Sequence, residues 1–266
     1  MFNPAVIAAY LLGDRLGAPW ETGDVLLTNR SLEVIQARGS EYPNGTDESD
    51  IVRCFLSFVQ NYRYEGREKL LLDWCVYHQR HHRASGYGRT YRDHFGLVKQ
   101  LIKERQLNLD TIFRISAERN SFGNGCLALV YPVACYAASI GENPTELAQD
   151  FTRLTHAQPR AVNAVNDLLR IILNPKETLL VAREIGIEGI SREELIKVYP
   201  SNVPADWTLA YALYAALHGN REDVILTAVN MNGDVDSVLA VALMLEELIS
   251  HHHSQTGTFI VVDREK

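Results

Sequence analysis

The chain has 266 residues, 46% of them hydrophobic, which is enough to bury a sizeable core. Its formal net charge of −7 argues against a general nucleic-acid binder and suits a protein that holds a cluster of carboxylates. Glycine and proline are scattered, without a low-complexity run or a repeat, and this favours one domain over residues 1–266.

Apolar residues recur at helical spacing along most of the chain, which predicts an all-α fold. The spacing predicts helices over 4–16, 49–63, 67–82, 93–105, 110–117, 125–140, 144–156, 159–173, 176–185, 191–197, 206–218, 221–230 and 235–250. Pro132 predicts a kink or a break in the helix that begins near Gly125. Only 258–262 has the pattern of a strand, and a lone strand has little to pair with.

Neither the N-terminal segment nor the cysteines indicate a membrane or secreted protein. Val6–Leu12 is too short to span a membrane, lacks the basic stretch of a signal peptide, and is predicted to be a buried first helix. Cys54, Cys75, Cys126 and Cys135 form no Cys-x-x-Cys pair. We therefore expect reduced, mostly buried thiols in a cytoplasmic protein.

Two acidic segments stand at the start of predicted helices. Gly45 precedes Thr-Asp-Glu-Ser-Asp at 46–50, and Gly233 precedes Asp-Val-Asp-Ser at 234–237. The two aspartates of the second segment converge if Gly233 makes a turn and the segment forms the first half-turn of its helix. Either segment alone could be an ordinary N-cap, but both carry more acids than a cap uses.

The charge of these segments favours a cation site. Together with Glu21, the acids Asp47, Glu48, Asp234 and Asp236 would place five negative charges in one cleft. They would repel one another, and several would take up protons unless cations were bound. Two divalent cations would nearly neutralise the set, and oxygen-only ligands favour Mg²⁺ or Mn²⁺ over Zn²⁺.

Two glycine-containing loops and one histidine are candidates for binding a nucleotide. Residues 121–125, Ser-Phe-Gly-Asn-Gly, precede a predicted helix, so their N–H groups could cradle a diphosphate, although ordinary turns share this pattern. Residues 86–90 read Gly-Tyr-Gly-Arg-Thr, and a flexible connection between helices is the alternative interpretation. His156 ends a predicted helix, where interaction with the helix dipole is the simpler role.

Five segments in this order resemble the motifs of the ADP-ribosylglycohydrolase family, which includes the dinitrogenase reductase-activating glycohydrolase. They are GDRLGAPWE (13–21), TDES (46–49), SFGNG (121–125), THAQP (155–159) and NGDVDS (232–237). Two of them depart from the family pattern: Glu48 replaces an aspartate of TDDT, and NGDVDS replaces GGDxDT. The resemblance implies a compact, mostly orthogonal helical bundle with its site at one end.

The resemblance also implies roles for individual residues. The ligands of two Mg²⁺ or Mn²⁺ ions would be Thr46, Asp47, Glu48, Asp234, Asp236 and Ser237. ADP-ribose would be contacted by Ser121, Gly123, Asn124, Gly125, His156 and, with lower specificity, Gly88. Glu21 would be a further ligand or the base that readies water, with Asp47 or Asp234 as the other candidate proton acceptors.

The implied activity is metal-dependent hydrolysis of the bond between ADP-ribose and an acceptor, with a protein side chain as the expected acceptor. An alternative is a catalytically weakened protein that binds ADP-ribose or a partner on the same fold, suggested by the altered TDES motif. A prenyl-diphosphate enzyme would need DDxxD pairs, which the chain lacks.

Residues 63–105 hold ten Lys or Arg against five acids; this indicates a solvated face or, as the second interpretation, a surface for an acidic modified target.

Overall fold

A computed structural model describes residues 3–21, 27–84, 86–231 and 233–256. Within these residues the fold is all-α, as predicted, and no strand is present. The helices are α1 (Pro4–Gly17), α2 (Leu32–Gly39), α3 (Asp47–Gln60), α4 (Arg67–His81), α5 (Arg89–Glu104), α6 (Leu109–Arg119), α7 (Val130–Ile140), α8 (Pro144–Arg153), α9 (Pro159–Leu173), α10 (Thr178–Glu184), α11 (Arg192–Val198), α12 (Ala205–Leu217), α13 (Arg221–Val229) and α14 (Val235–Thr256). The strand predicted at 258–262 lies outside the described residues.

Three elements differ from the prediction. Helix α2 was not predicted, because it buries only Ile35 and Gly39 and so has little apolar periodicity. The helix expected at 125–140 is divided into a 3₁₀ segment and α7, which begins at Val130. Pro132 therefore lies in the first turn of α7, where no intrahelical N–H is lost. Helix α14 continues to Thr256 instead of ending at 250.

Helix α14 is the central element of the core. Every residue from Val235 to Leu245 is buried, and α12 is buried along most of its length. Helices α1, α12 and α13 all pack against α14. A helix that is apolar on all sides must be surrounded by others, so the start of α14 lies inside the protein. Among the described helices, none combines the length and apolar character that a membrane crossing would require.

Two glycines allow α1 to pack closely on α14. A Cβ atom at Gly13 would lie 2.4 Å from the carbonyl oxygen of Leu239, and one at Gly17 would lie 2.4 Å from the Cα of Asp236. The two glycines are four residues apart, so they lie on the same face of α1. Because only glycine permits this approach, the first turn of α14 lies directly against the end of α1.

Candidate active site

Helix α3 begins beside α1, and a side chain of α1 caps it. The Oδ2 atom of Asp14 accepts hydrogen bonds from the backbone N–H groups of Thr46 (2.8 Å) and Ser49 (3.0 Å). Asp14 is fully buried, and its charge suits the positive end of the helix. Gly45 has a φ of 67°, and a Cβ there would lie 2.2 Å from Asp14 Oδ2, so this position requires glycine. The sequence analysis gave Asp14 no role, although it lies in the segment 13–21.

The hydroxyl oxygen of Thr46 lies close to three carboxylates. The nearest oxygens belong to Asp14, Glu48 and Asp236, at 2.6, 2.8 and 3.1 Å. A hydroxyl has one proton and can donate to only one acceptor at a time. The remaining carboxylate oxygens therefore need protons or a cation as partners.

The start of α14 has the turn that the sequence predicted. Gly233 has a φ of 85°, and a Cβ there would lie 2.2 Å from Oδ1 of Asn202. That same Oδ1 accepts a hydrogen bond from the backbone N–H of Asp234 at 2.8 Å. Asp234 thus stands immediately before the helix and Asp236 in its first turn. Asn202 lies between α11 and α12, and no sequence motif indicated its role.

Neighbouring polar side chains orient the acids. The Ser237 hydroxyl donates to Glu48 Oε1 at 2.6 Å, and the Ser237 backbone N–H donates to Asp236 Oδ1 at 2.8 Å. The side-chain amide of Asn124 donates to Asp234 Oδ2 at 2.7 Å. Asn124 was predicted to contact ADP-ribose, and in the structure it also links the loop at 121–125 to the acidic cluster.

Burial and mutual repulsion raise the pKa values of the acids. Burial is the larger cause for Glu48 and Asp236, whose pKa values lie well above the ordinary range, and nearby carboxylates add to it. Burial, followed by the charge of Asp14 and then of Asp234, raises the pKa of Asp47 to about 6. Burial and then the charge of Asp234 also raise the pKa of Glu21. Without cations the cluster therefore retains protons as the pH approaches neutrality.

Two groups of three acids could each hold a metal ion. In each group, one carboxylate oxygen per residue lies within 4.8 Å of the others. The groups are Asp14, Glu48 and Asp236, and Glu21, Asp234 and Asp236. Asp236 belongs to both, so its carboxylate could bridge two ions. The donor atoms are all oxygens, which fits a hard divalent cation.

A cleft of about 250 Å³ opens over these acids. Ten of the predicted site residues line it: Glu21, Asp47, Glu48, Gly88, Gly123, Asn124, Gly125, His156, Asp234 and Asp236. The three other predicted site residues do not line the cleft. Thr46 and Ser237 bond to the carboxylates as described above, and the Ser121 hydroxyl bonds to the Thr90 hydroxyl at 2.8 Å. Five further residues line the cleft. Gly86, Arg89 and Thr90 belong to the loop at 86–90 that was a candidate for binding a nucleotide, whereas no prediction covered Tyr91 and Val203.

His156 and Tyr91 support the glycine loop at 121–125, which lines the same cleft as the acids. His156 is buried, and burial lowers its pKa to about 4, so the imidazole is neutral near pH 7. Its Nδ1 pairs with the Thr155 hydroxyl at 2.7 Å, while a Cβ at Gly123 would lie 3.7 Å from Nε2. The Tyr91 hydroxyl donates to the carbonyl oxygen of Gly125 at 3.1 Å.

The connection between α4 and α5, residues 82–84 and 86–88, is held over the cleft by Asp50. We name it the α4–α5 loop. Asp50 Oδ2 accepts hydrogen bonds from the N–H groups of Arg83 (2.7 Å) and Ala84 (3.2 Å) and from the Tyr87 hydroxyl (3.0 Å). A Cβ at Gly86 would lie 2.8 Å from Asp47 Oδ1, so the loop reaches the acidic cluster.

Comparison with known proteins agrees with this geometry. The sequence profile of the ADP-ribosylglycohydrolase family matches residues 5–245. The chain belongs to this family. Membership makes it a hydrolase of glycosidic bonds that acts on ADP-ribose linkages. It thereby confirms the resemblance that the five motifs indicated.

One solved structure shows how far the fold is shared. An ADP-ribosylglycohydrolase-related protein complex contains a chain that aligns with a TM-score of 0.61 at 21% identity. The alignment covers 92% of this family member and 85% of the other chain, so the likeness concerns the whole fold. A search of curated protein sequences finds no match.

Proposed function

We propose that the protein is a metal-dependent hydrolase that removes ADP-ribose from a modified protein side chain, using two Mg²⁺ or Mn²⁺ ions. The observation that carries the proposal is the position of Asp236. Its carboxylate is shared by two acid groups in a cleft that a glycine loop also lines. A cation-dependent reaction at a sugar bearing a diphosphate needs both features.

Asp14 is the least suitable ligand in the two groups, because its oxygens are already occupied. Oδ2 accepts two backbone N–H groups, and Oδ1 lies closest to the Thr46 hydroxyl. When Thr46 donates its proton to Asp14, the lone pairs of its oxygen are left for a cation near Glu48 and Asp236. We therefore assign Asp14 the role of orienting Thr46.

The ligands that we propose are those implied by the resemblance: Thr46, Asp47, Glu48, Asp234, Asp236 and Ser237. Bound cations would neutralise these acids, orient ribose hydroxyls and lower the pKa of a water molecule. The extra methylene of Glu48, compared with the family's aspartate, is accommodated here. Its two oxygens lie at 2.6 Å from the Ser237 hydroxyl and 2.8 Å from that of Thr46. No contact of Glu48 favours the alternative of a protein that only binds ADP-ribose.

A carboxylate side chain of this protein would accept the proton of the attacking water. The bond from the anomeric carbon of the ribose to the acceptor breaks, and a bond from that carbon to water oxygen forms. The acceptor atom leaves with the electron pair of the broken bond and takes up a proton from solvent. Positive charge develops on the sugar in between, and the carboxylates around it stabilise that charge. We propose that Glu21 accepts the water proton, because it lines the cleft beside Asp234 and Asp236 and is the most exposed of these acids. Asp47 and Asp234 are the alternative acceptors.

The glycine loop at 121–125 and the residues next to it would bind the nucleotide. The loop 121–125 leads into a 3₁₀ segment, so its N–H groups suit a diphosphate. The neutral imidazole of His156 lies behind Gly123 and supports the loop without adding charge. Phe122 is 40% exposed beside the cleft, with Arg160 at 5.2 Å over its ring, and an exposed aromatic face can stack a nucleobase.

The proposal is tested by incubating the protein with ADP-ribosylated peptides of several linkages, in Mg²⁺, in Mn²⁺ and in chelator. We expect release of free ADP-ribose only with a divalent cation. Calorimetric titration with ADP-ribose is run in parallel. Binding without release from any substrate would favour the alternative, and release that is insensitive to chelator would contradict the metal site. A cytoplasmic location and a single domain over 1–266 stay predictions from the sequence.

A further inference from the structure

A second cleft adjoins the candidate active site. It has a volume of about 530 Å³ and is lined by residues of α3, α4 and the α4–α5 loop. Thr46 lines this cleft and Asp47 lines the other, so consecutive residues face the two clefts. The α4–α5 loop borders both, with Arg83 on one side and Gly86 on the other. The two clefts therefore lie side by side along the α4–α5 loop, and a polypeptide with one residue in the active site would reach the second cleft with its neighbouring residues.

The ionisable side chains of the second cleft are mostly basic. Arg53, His81 and Arg83 line it, and all three are exposed. Within the described residues neither arginine forms an ion pair, although Arg67 and Arg170 each contact three acids elsewhere in the protein. The Arg53 guanidinium donates to the carbonyl oxygen of Asn44, which leaves its charge uncompensated. Guanidinium groups without a carboxylate partner at one cleft create a local positive potential in a protein of net charge −7.

The one acid that lines this cleft is already engaged. Asp50 Oδ2 accepts the two N–H groups and the Tyr87 hydroxyl that hold the α4–α5 loop. The hydroxyls of Ser57 and Tyr77 line the same cleft and share one hydrogen bond at 2.9 Å, which leaves one of their two protons for a ligand. Carboxylates bind well to guanidinium and hydroxyl donors arranged in this way.

We propose that the second cleft binds an acidic polypeptide segment of the ADP-ribosylated acceptor, next to the modified residue. This inference rests on the proposed function, and it identifies the acceptor as a protein with acidic residues near the modification. A polypeptide fits better than a nucleic acid. Residues 63–105 carry a net charge of +5, but the remainder of the chain carries −12, which would repel a long polyanion beyond the cleft.

The test compares peptides that carry the same ADP-ribosylated residue with acidic, neutral or basic flanks. We expect the wild-type kcat/KM for the acidic peptide to exceed that for the neutral one about tenfold, and added salt to reduce the difference. The double variant R53Q/R83Q should lose most of this preference and keep its rate with the neutral peptide. The matched control is R80Q/K103Q, which removes two exposed cations from α4 and α5 that do not line the cleft.

Equal rates for the acidic and neutral peptides in the wild type would overturn the inference, as would an equal loss in the control variant. An ADP-ribosylated oligonucleotide that depends on Arg53 and Arg83 as strongly as the acidic peptide would overturn it in favour of nucleic acid. Fluorescence anisotropy of a labelled, unmodified acidic peptide separates the two hypotheses, because it needs no hydrolysis. Arginine-dependent binding without turnover of any substrate would contradict the proposed function and support the acidic-peptide cleft.

Discussion

The two walls of the active-site cleft place their polar groups by different means. The acidic wall consists of the starts of α3 and α14, and α1 positions both: α14 packs against it at Gly13 and Gly17, and its Asp14 caps α3. The loop wall consists of the α4–α5 loop and residues 121–125. These are held by single side chains, Asp50 and Tyr91, through hydrogen bonds to backbone groups and to the Tyr87 hydroxyl.

This difference suits the two tasks that we assign to the walls. Like charges repel, so carboxylates can be held together without cations only where a stable core holds their backbones in place. A nucleotide and its acceptor vary more in shape, and loops with a few hydrogen bonds can adjust to them. Changes in the acidic wall should therefore abolish the reaction or the fold, and changes in the loop wall should mainly alter affinity.

The largest effect is expected at the shared carboxylate. Asp236→Ala and Asp234→Ala should each lower kcat/KM by at least about 10²–10³-fold, because a group that stabilises charge at the reaction centre is lost. Asp236→Ala should leave the apo protein at least as stable as the wild type, since it removes a buried carboxyl group whose ionised form is repelled by the neighbouring acids. Steady-state release of ADP-ribose and urea unfolding measure the two quantities. Glu193→Ala, at an exposed acid of α11, is the control, and near wild-type turnover in either variant would refute the metal-site assignment.

The second largest effect is expected at the contact between α1 and α14, which positions the acidic wall. Gly17→Ala would place a Cβ 2.4 Å from the Asp236 Cα, so it should destabilise the protein by about 2–3 kcal/mol and separate α1 from α14. Gly96→Ala is the matched control, because this exposed position of α5 has no atom within 4 Å of the added Cβ. The control should be neutral or about 1 kcal/mol more stable. Chemical denaturation compares the two, and equal stabilities would contradict the close-packing argument.

The repulsion in the acidic wall should appear as a pH dependence of stability. In the apo protein the pKa of Asp47 is raised from 3.8 to about 6, so the folded state binds the proton more tightly than the unfolded state. Below pH 4 this proton makes its full contribution to the free energy of unfolding. As the pH rises from 4 to 6, about 2 kcal/mol of that contribution is lost.

The measurement is unfolding in chelator at pH 4.5 and 7.5, for the wild type and Asp47→Asn. The difference between the two proteins isolates Asp47 from acids elsewhere. The wild type should lose more stability than the variant on going to pH 7.5, and Mn²⁺ should restore it through binding to the folded state. An identical pH dependence of the two proteins would show that burial and the neighbouring acids do not raise the pKa of Asp47 in the folded state.

Substitutions in the loop wall should mainly lower the affinity for ADP-ribose. His156→Ala should weaken ADP-ribose binding about tenfold, because the buried imidazole beneath Gly123 is replaced by a cavity. Asn124→Ala should weaken it as well, but it also removes the donor to Asp234, so a smaller change in cation binding is expected. Calorimetric titrations with ADP-ribose and with Mn²⁺ distinguish the two effects. Unchanged ADP-ribose affinity in both variants would refute this assignment.

The smallest effect is expected at Asp50. Asp50→Asn keeps an acceptor for the α4–α5 loop but removes its charge, which should weaken loop closure by roughly 1 kcal/mol. KM for an ADP-ribosylated substrate should rise about fivefold while kcat changes little. Asp73→Asn, which breaks only the exposed pair with Lys69, is the control. A fall in kcat without a change in KM would mean that Asp50 acts on the acidic wall and not on the loop.

Most of the fold could be predicted from local sequence patterns. The apolar spacing located thirteen of the helices because each buries a defined face, and α2 was missed because it buries little. The turn at Gly233 that brings Asp234 and Asp236 together also followed from local information. A positive φ and the first turn of a helix depend only on adjacent residues.

The tertiary structure alone decided which groups complete the site. Asp14 caps α3 across 32 positions of the chain, Asn202 holds Asp234 across 32, and Thr46 meets Asp236 across 190. No periodicity or spacing encodes such pairs, because they arise from the packing of separate elements on one another and not from neighbours along the chain. The sequence by itself therefore determined which acids are present and where helices start. Packing determined that Asp236 is shared and that Asp14 orients Thr46, because both depend on distances between separate helices.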